Sequence, residues 1–367
     1  MKVIHVCPRY HPYIGGVETH VRSVCRGLSE AGFAVEIYST DAPGRTVKQE
    51  VVDGIRLTRF PSFSPRDTIC FSPKLHRALK EVQADIIHVH DYRALPMLSA
   101  AWGKREDIKL VITLHLGFSK IGKWVYHIYN PLFGKMIFNR ADRIVYCAPA
   151  ELNEVPVLEN YKHKMVLIPN GIELTEIDNH YQTKRHLKTT LGLLCASRIE
   201  KQKGLRTVIA AVNHLKGMPV NLNVVGDGPD LPRLRDMSSK LGLTDMITFR
   251  GWVAKEELYK LYSQSDIFLL LSEFEAYSIA LIEAMAFGLV PLVTRVGGNS
   301  DMVNDTVGYL VDYPADSEEV ATILQQLASN TKLLRQKKRN SRNHALKHFD
   351  IETQIKRVIE IYQSIVV

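Results

Sequence analysis

Short, evenly apolar runs return along the whole chain, separated by stretches that read as helix or loop. In the first half they are Val3–Cys7, Ala34–Ser39, Ile55–Phe60, Asp85–Asp91, Leu110–Leu114, Arg143–Cys147 and Met165–Ile168. Beyond a polar, turn-rich interval at Glu173–Lys188 the alternation restarts with Leu191–Ala196, Val220–Val225, Ile247–Val253, Asp266–Leu271, Val290–Thr294 and Gly308–Val311. Runs of this length without polar alternation read as strands buried on both faces, which belong to parallel sheets covered by helices. The two series predict two α/β domains, and 367 residues supply enough chain for two cores.

In such sheets ligands bind beyond the carboxyl ends of the strands, so the residues just past each run are the candidates. Gly15-Gly16 lets a backbone approach a ligand and opens a helix running to about Glu30, whose N-terminus suits an anion; an ordinary tight turn is the plainer reading. His88 and His90 share a strand face and would make a metal pair, but no third ligand is placed by the sequence, so no metal is expected. His115 stands just past the next run, as a site residue or a structural histidine. Arg198 and Lys203 lie in a strand-to-helix loop, where they make a diphosphate clamp or two solvated cations.

The stretch Ser272–Gly288 combines these features: a loop with Glu273 and Glu275, then a helix from Ser278 carrying Glu283 and closed by Gly288. Two carboxylates so placed could accept hydrogen bonds from the hydroxyls of neighbouring sugar rings; as bland residues they are solvated charges. Gly226-Asp-Gly228 lacks the third glycine of a dinucleotide fingerprint, and no Walker A loop occurs.

Lys and Arg outnumber Asp and Glu by 47 to 39, which suits an anionic ligand or membrane surface, and no basic–aromatic motif argues for nucleic acid. Five scattered cysteines point to a reducing, cytoplasmic setting. No signal peptide or membrane-spanning run is read. The aromatic and basic stretch 118–140 suggests peripheral contact with the inner membrane face or a lipid-linked acceptor, although such aromatics are more often core. The basic run Lys332–Arg342 reads as a solvated helix face, with a lipid-phosphate contact as the sharper alternative.

Taken in order, Gly15-Gly16-Val-Glu18, Asp85-Ile-Ile-His-Val-His90, Thr113-Leu-His115, Ile168-Pro-Asn-Gly-Ile172, Arg198-Ile-Glu-Lys-Gln-Lys203-Gly204, Val225-Gly-Asp-Gly-Pro229, Gly251-Trp-Val253 and Glu275-x7-Glu283 resemble the family-four retaining glycosyltransferases over essentially the whole chain. The resemblance implies the GT-B fold, two Rossmann-like doubly wound domains facing across a cleft: 1–172 joined by a C-terminal helix at 349–367, and 173–348. It implies transfer of a hexose or N-acetylhexosamine from a UDP-sugar or GDP-sugar to a hydroxyl of a glycan or lipid-linked acceptor, with no cofactor and no metal. Arg198 and Lys203 would hold the diphosphate, helped by the backbone of Gly15, Gly16, Tyr277, Ser278 and Ile279. Glu283 would bind the ribose, the backbone near Val253 and Gly226 would face the nucleoside, and Glu275 and His115 would flank the sugar. No Asp-x-Asp occurs, in keeping with cations in place of a metal. The family's usual Glu-Gly-Phe-Gly is here Glu275-Ala-Tyr-Ser278, in which Ala276 and Ser278 are small enough to keep the turn and Tyr277 would add a hydroxyl near the donor. An epimerase or phosphorylase on the same fold, or a non-catalytic subunit of a glycan-assembly complex, is the alternative; acceptor-independent conversion of a nucleotide sugar would reveal the first.

Overall fold

The computed structural model describes residues 1–13, 15–41, 46–63, 70–92, 95–115, 130–181 and 190–366. The chain forms two compact units, Met1–Gly171 with Ile351–Val367, and Ile172–Asp350.

In the first unit eight strands make one sheet: β1 (Lys2–Cys7), β2 (Ala34–Ser39), β3 (Lys48–Val52), β4 (Ile55–Arg59), β5 (Ile86–His90), β6 (Lys109–Thr113), β7 (Arg143–Tyr146) and β8 (Met165–Leu167). Their order is β3-β4-β2-β1-β5-β6-β7-β8, parallel except for the antiparallel pair β3–β4. That pair turns at Asp53-Gly54, both at positive φ (51° and 76°), as a two-residue hairpin requires. Helices 16–30 and 351–365 cover one face, where Val24, Leu28, Val358, Ile361 and Tyr362 pack on Val3, Ile86 and Val111. Gly27 lets them meet closely, since a Cβ there would lie 2.1 Å from Ile355 Cδ1. Helices 73–81, 95–103 and 135–140 cover the other face through Leu75, Leu79, Met97 and Phe138.

The second unit holds β9 (Leu191–Ala196), β10 (Val220–Val225), β11 (Ile247–Gly251), β12 (Ile267–Leu270), β13 (Val290–Thr294) and β14 (Tyr309–Val311). Their order is β11-β10-β9-β12-β13-β14, parallel throughout. Part of the interval 173–188, read as turn-rich, is the helix Leu174–His180.

The basic run behaves differently from a solvated face. Lys337 is buried and donates to the carbonyls of Asp305 (2.6 Å) and Gly308 (3.3 Å), and Lys338 Nζ donates to Asp266 Oδ1 at 2.6 Å. Arg342 reaches Asp178 and the carbonyl of Ala286. These cations hold helix 331–348 to its own unit, while Lys332, Arg335 and Arg339 remain exposed. Residues 118–129 of the aromatic stretch lie outside the described residues; beyond them Phe138 is core, stacked on Tyr92 at 4.8 Å. No helix among the described residues is long and apolar enough to cross a membrane.

Candidate active site

Each unit gathers chemistry at the carboxyl edge of its sheet. In the second unit the loop after β9 carries Arg198 and ends in a short turn, Lys201–Lys203. Gly204 then takes φ 68°, and a Cβ there would lie 2.0 Å from the carbonyl oxygen of Leu271. Only glycine lets the loop turn so close to the end of β12. The contact delivers Lys203 to the loop after β12, where its Nζ donates to Glu275 Oε1 at 2.6 Å. The Ser272 hydroxyl donates to the same oxygen at 2.6 Å, and Thr294 Oγ1 holds the Ser272 carbonyl at 2.6 Å. Glu275 is buried, and its backbone carbonyl accepts from the Gly298 N–H at 3.0 Å. Gly297 makes that approach feasible: a Cβ there would sit 1.7 Å from Glu275 O. The Gly297-Gly298 loop is thus the support of Glu275.

Arg198 is exposed and pairs with Glu200 at 3.2 Å. Behind its loop, Gly226 and Gly228 at positive φ would place a Cβ 1.9 Å from Ser197 O and 2.4 Å from Ile199 O, and Ile199 N–H donates to Asp227 O. Gly226 therefore backs the Arg198 loop. Helix 279–286 starts at Ser278, whose Oγ accepts from the Leu281 N–H. Tyr277, just before it, is buried with its ring edge-on to Phe349. Glu283 is partly buried beside the Tyr262 hydroxyl at 3.3 Å, and burial pushes its carboxyl up to about 7. Val253 follows β11, half-buried next to the exposed Trp252.

In the first unit Gly15 is extended and leads into helix 16–30; a Cβ at Gly15 would lie 2.4 Å from Glu18 Oε2, so that carboxylate folds back over the helix start, while nothing lies within 4 Å of where a Gly16 Cβ would be. His115 sits past β6 with φ 44°, and Asp91 past β5 with φ 71°. Left-handed backbone at non-glycine residues is unfavourable, and two such residues side by side mark a strained edge. His115 Nε2 lies 3.2 Å from His90 Nδ1, and its Nδ1 is 3.9 Å from Cys147 Sγ.

His115 closes a buried cluster the sequence did not announce: His5, His20, His88, His90 and His115. His5 pairs with His88 across β1–β5, and His20 stands edge-on to His115 at 4.7 Å. Burial drives His5 down to about 3 and His20 to about 4, and holds the other three well below the usual imidazole range, so all five are neutral at physiological pH. Two trios, His5/His88/His90 and His20/His90/His115, bring ligating atoms within 4.8 Å. The first trio's nitrogens are engaged with one another, with Tyr362, with Thr113 and with His115.

The model of the group 1 glycosyl transferases matches residues 177–344, and that of glycosyltransferase family 4 matches residues 14–176. The chain belongs to the family-four, group 1 glycosyltransferases. Among curated relatives of this glycosyltransferase, the O-antigen chain mannosyltransferase C of Escherichia coli is 25% identical over 100% of this chain and 99% of its own. The alpha-monoglucosyldiacylglycerol synthase of Streptococcus pneumoniae is 27% identical over 76% of this chain and 68% of its own. Among solved structures, Alr3699/HepE of Anabaena in complex with UDP-glucose matches with TM-score 0.79 and 19% identity over 100% of both chains, a likeness that shows the GT-B fold.

Proposed function

We propose that this glycosyltransferase takes a hexose or N-acetylhexosamine from a UDP- or GDP-sugar and transfers it, with retention and without a metal, to a hydroxyl of a lipid-linked or cell-surface glycan. The observation that carries the reading is the constellation at one sheet edge of the second unit: Lys203 on Glu275, Arg198 exposed on the same loop, and a helix N-terminus after Tyr277-Ser278. Two cations and the N-terminus of a helix meet the need of a departing nucleoside diphosphate, whose charge builds as the glycosidic bond breaks. Glu275, neutralised by Lys203 in the unliganded protein, offers the sugar an acceptor once a diphosphate takes the lysine. Glu283, two turns further, is spaced for the ribose. The relatives' names add support for the acceptor class: one builds an O-antigen chain, another glycosylates a diacylglycerol lipid.

The test is calorimetric titration with UDP, GDP and ADP in EDTA. Tight binding of one of them, lost in Lys203→Ala, is the expected result. A folded protein that binds none, or binds only when a divalent metal is restored, would overturn the metal-free clamp.

A further inference from the structure

Six groups in the first unit, Thr113, His88, Tyr362, His5, His90 and His115, form one continuous hydrogen-bonded line. Thr113 Oγ1 is 2.7 Å from His88 Nε2, and His88 Nδ1 is 2.6 Å from the Tyr362 hydroxyl. That hydroxyl is 3.4 Å from His5 Nε2, and His5 Nδ1 is 2.9 Å from His90 Nε2. His90 Nδ1 is 3.2 Å from His115 Nε2, and His115 Nδ1 faces Cys147 Sγ at 3.9 Å. A neutral imidazole has one N–H and one bare nitrogen. In a head-to-tail line the proton position of any member therefore fixes all the others, and only two patterns satisfy every link.

Two distances choose between them. The Tyr362 hydroxyl has one proton and lies much nearer His88 than His5, so it donates to His88 Nδ1; a phenol is also the stronger donor. His88 then carries its proton on Nε2 and donates to Thr113. On the other side His5 donates from Nε2 to Tyr362, His90 from Nε2 to His5, and His115 from Nε2 to His90. At the far end Cys147 directs its S–H to Asn170 Oδ1 at 3.3 Å and sends no proton to His115; its sulfur, 3.9 Å from His115 Nδ1, is too weak and distant an acceptor to reverse the order set at Tyr362, and His115 Nδ1 is bare. The geometry points to Tyr362, His5 and His90 as a relay that sets the tautomer of His115 and keeps its Nδ1 as an acceptor for a sugar hydroxyl. The sugar contact rests on the function proposed above; the relay does not.

The experiment reads the tautomer in the free protein. Long-range 1H–15N spectra of histidine-labelled protein distinguish a pyrrole-type N–H from a bare pyridine-type nitrogen. His115 is expected as the Nε2–H form. Thr113→Val, nearly the same shape, removes the acceptor of His88 Nε2–H, so His88 should shift to Nδ1–H, Tyr362 should donate to His5, and His115 should invert to Nδ1–H four links away. Tyr362→Phe should leave His115 a mixture of both forms. Loss of such support for a site residue in either variant is expected to lower kcat by about 10- to 100-fold, with nucleoside diphosphate affinity unchanged. His115 found as Nδ1–H in the native protein, or a tautomer unmoved in a Thr113→Val variant shown to be folded, would overturn the relay, as would a stoichiometric metal bound by the histidines. An intact tautomer response in a protein that binds no nucleotide would uphold the relay and reject the sugar reading alone.

Discussion

Lys203 Nζ and Glu275 Oε1 lie 2.6 Å apart although 72 residues separate them. Both side chains are largely withdrawn from water, at 14% and 10% exposure, so neither charge is stable there without the other. Removing the lysine should act twice. Lys203→Ala is expected to lower kcat by about 10²- to 10³-fold, the usual loss of one group that stabilises transition-state charge, and to lower the melting temperature. Steady-state kinetics beside a thermal melt check both, and near-native turnover would remove Lys203 from the clamp.

The ribose role proposed for Glu283 makes nucleotide binding depend on pH. Its carboxyl titrates at about 7, raised from 4.5 by burial. As a ribose acceptor it must be ionised, so affinity for the cognate nucleoside diphosphate should rise with pH through 7 and level off above. The stability of the free protein moves oppositely: the contribution of this group is full below 4.5 and is lost as pH rises through 7. Titrating the native protein and Glu283→Gln side by side cancels the nucleotide's own protonation. The ratio of their affinities should fall roughly tenfold from pH 8 to pH 6; a flat ratio would exclude the carboxylate from the ribose site.

Gly204→Ala should be costly far beyond its size. A left-handed φ of 68° is joined to a collision with Leu271 O at 2.0 Å, and neither atom is at the free end of a side chain. Strain of this kind costs about 1–3 kcal/mol, read as a shift in the urea midpoint with unchanged slope. Because the residue follows Lys203, weaker diphosphate binding should accompany the shift.

The loop ahead of Gly15 hangs on a buried ion pair. Arg59 meets Asp41 at 2.7 Å, with 6% and 4% of the two side chains exposed, and Asp41 also accepts the Tyr10 N–H at 2.9 Å. Arg59 keeps Glu50 at 2.5 Å, so Asp41→Ala removes the more buried of its two carboxylates, leaves the Tyr10 N–H without its acceptor, and is expected to destabilise the protein by about 1–3 kcal/mol. Replacing both partners by apolar residues should recover part of that in a urea titration, and full stability of the single variant would deny the pair its role.

The runs at Leu191–Ala196 and Val290–Thr294 took their expected form to the residue, and the C-terminal helix expected at 349–367 spans Ile351–Ile365, because evenly buried strands and strongly amphipathic helices advertise themselves by pattern alone. The strand Lys48–Val52 did not, since it is an exposed edge whose residues alternate only weakly; the Asp53-Gly54 turn beside it was the overlooked signal. Helix Leu231–Lys240 also passed unnamed, polar on most of its surface. At the site, sequence position placed Arg198, Lys203, Glu275 and His115 past strand ends, because parallel topology dictates that edge. It gave neither the Lys203–Glu275 pairing nor the placement of His5 and His20 beside His90 and His115. Those contacts depend on which strands become neighbours, and a histidine inside an apolar run looks the same whether it is alone or one of five.

The first unit takes its final helix, residues 351–365, from beyond the entire second unit. During synthesis the sheet built from β1 to β8 therefore waits, with Val3, Ile86 and Val111 covered by helix 16–30 alone, while the second unit is translated and is free to fold. The unit made first is the one finished last. Until residue 362 leaves the ribosome, His5 and His88 have no tyrosine between them. A nascent or truncated chain ending before that helix would combine a folded second unit with a first unit whose sheet face lacks part of its apolar cover, a form marked for chaperones and proteases.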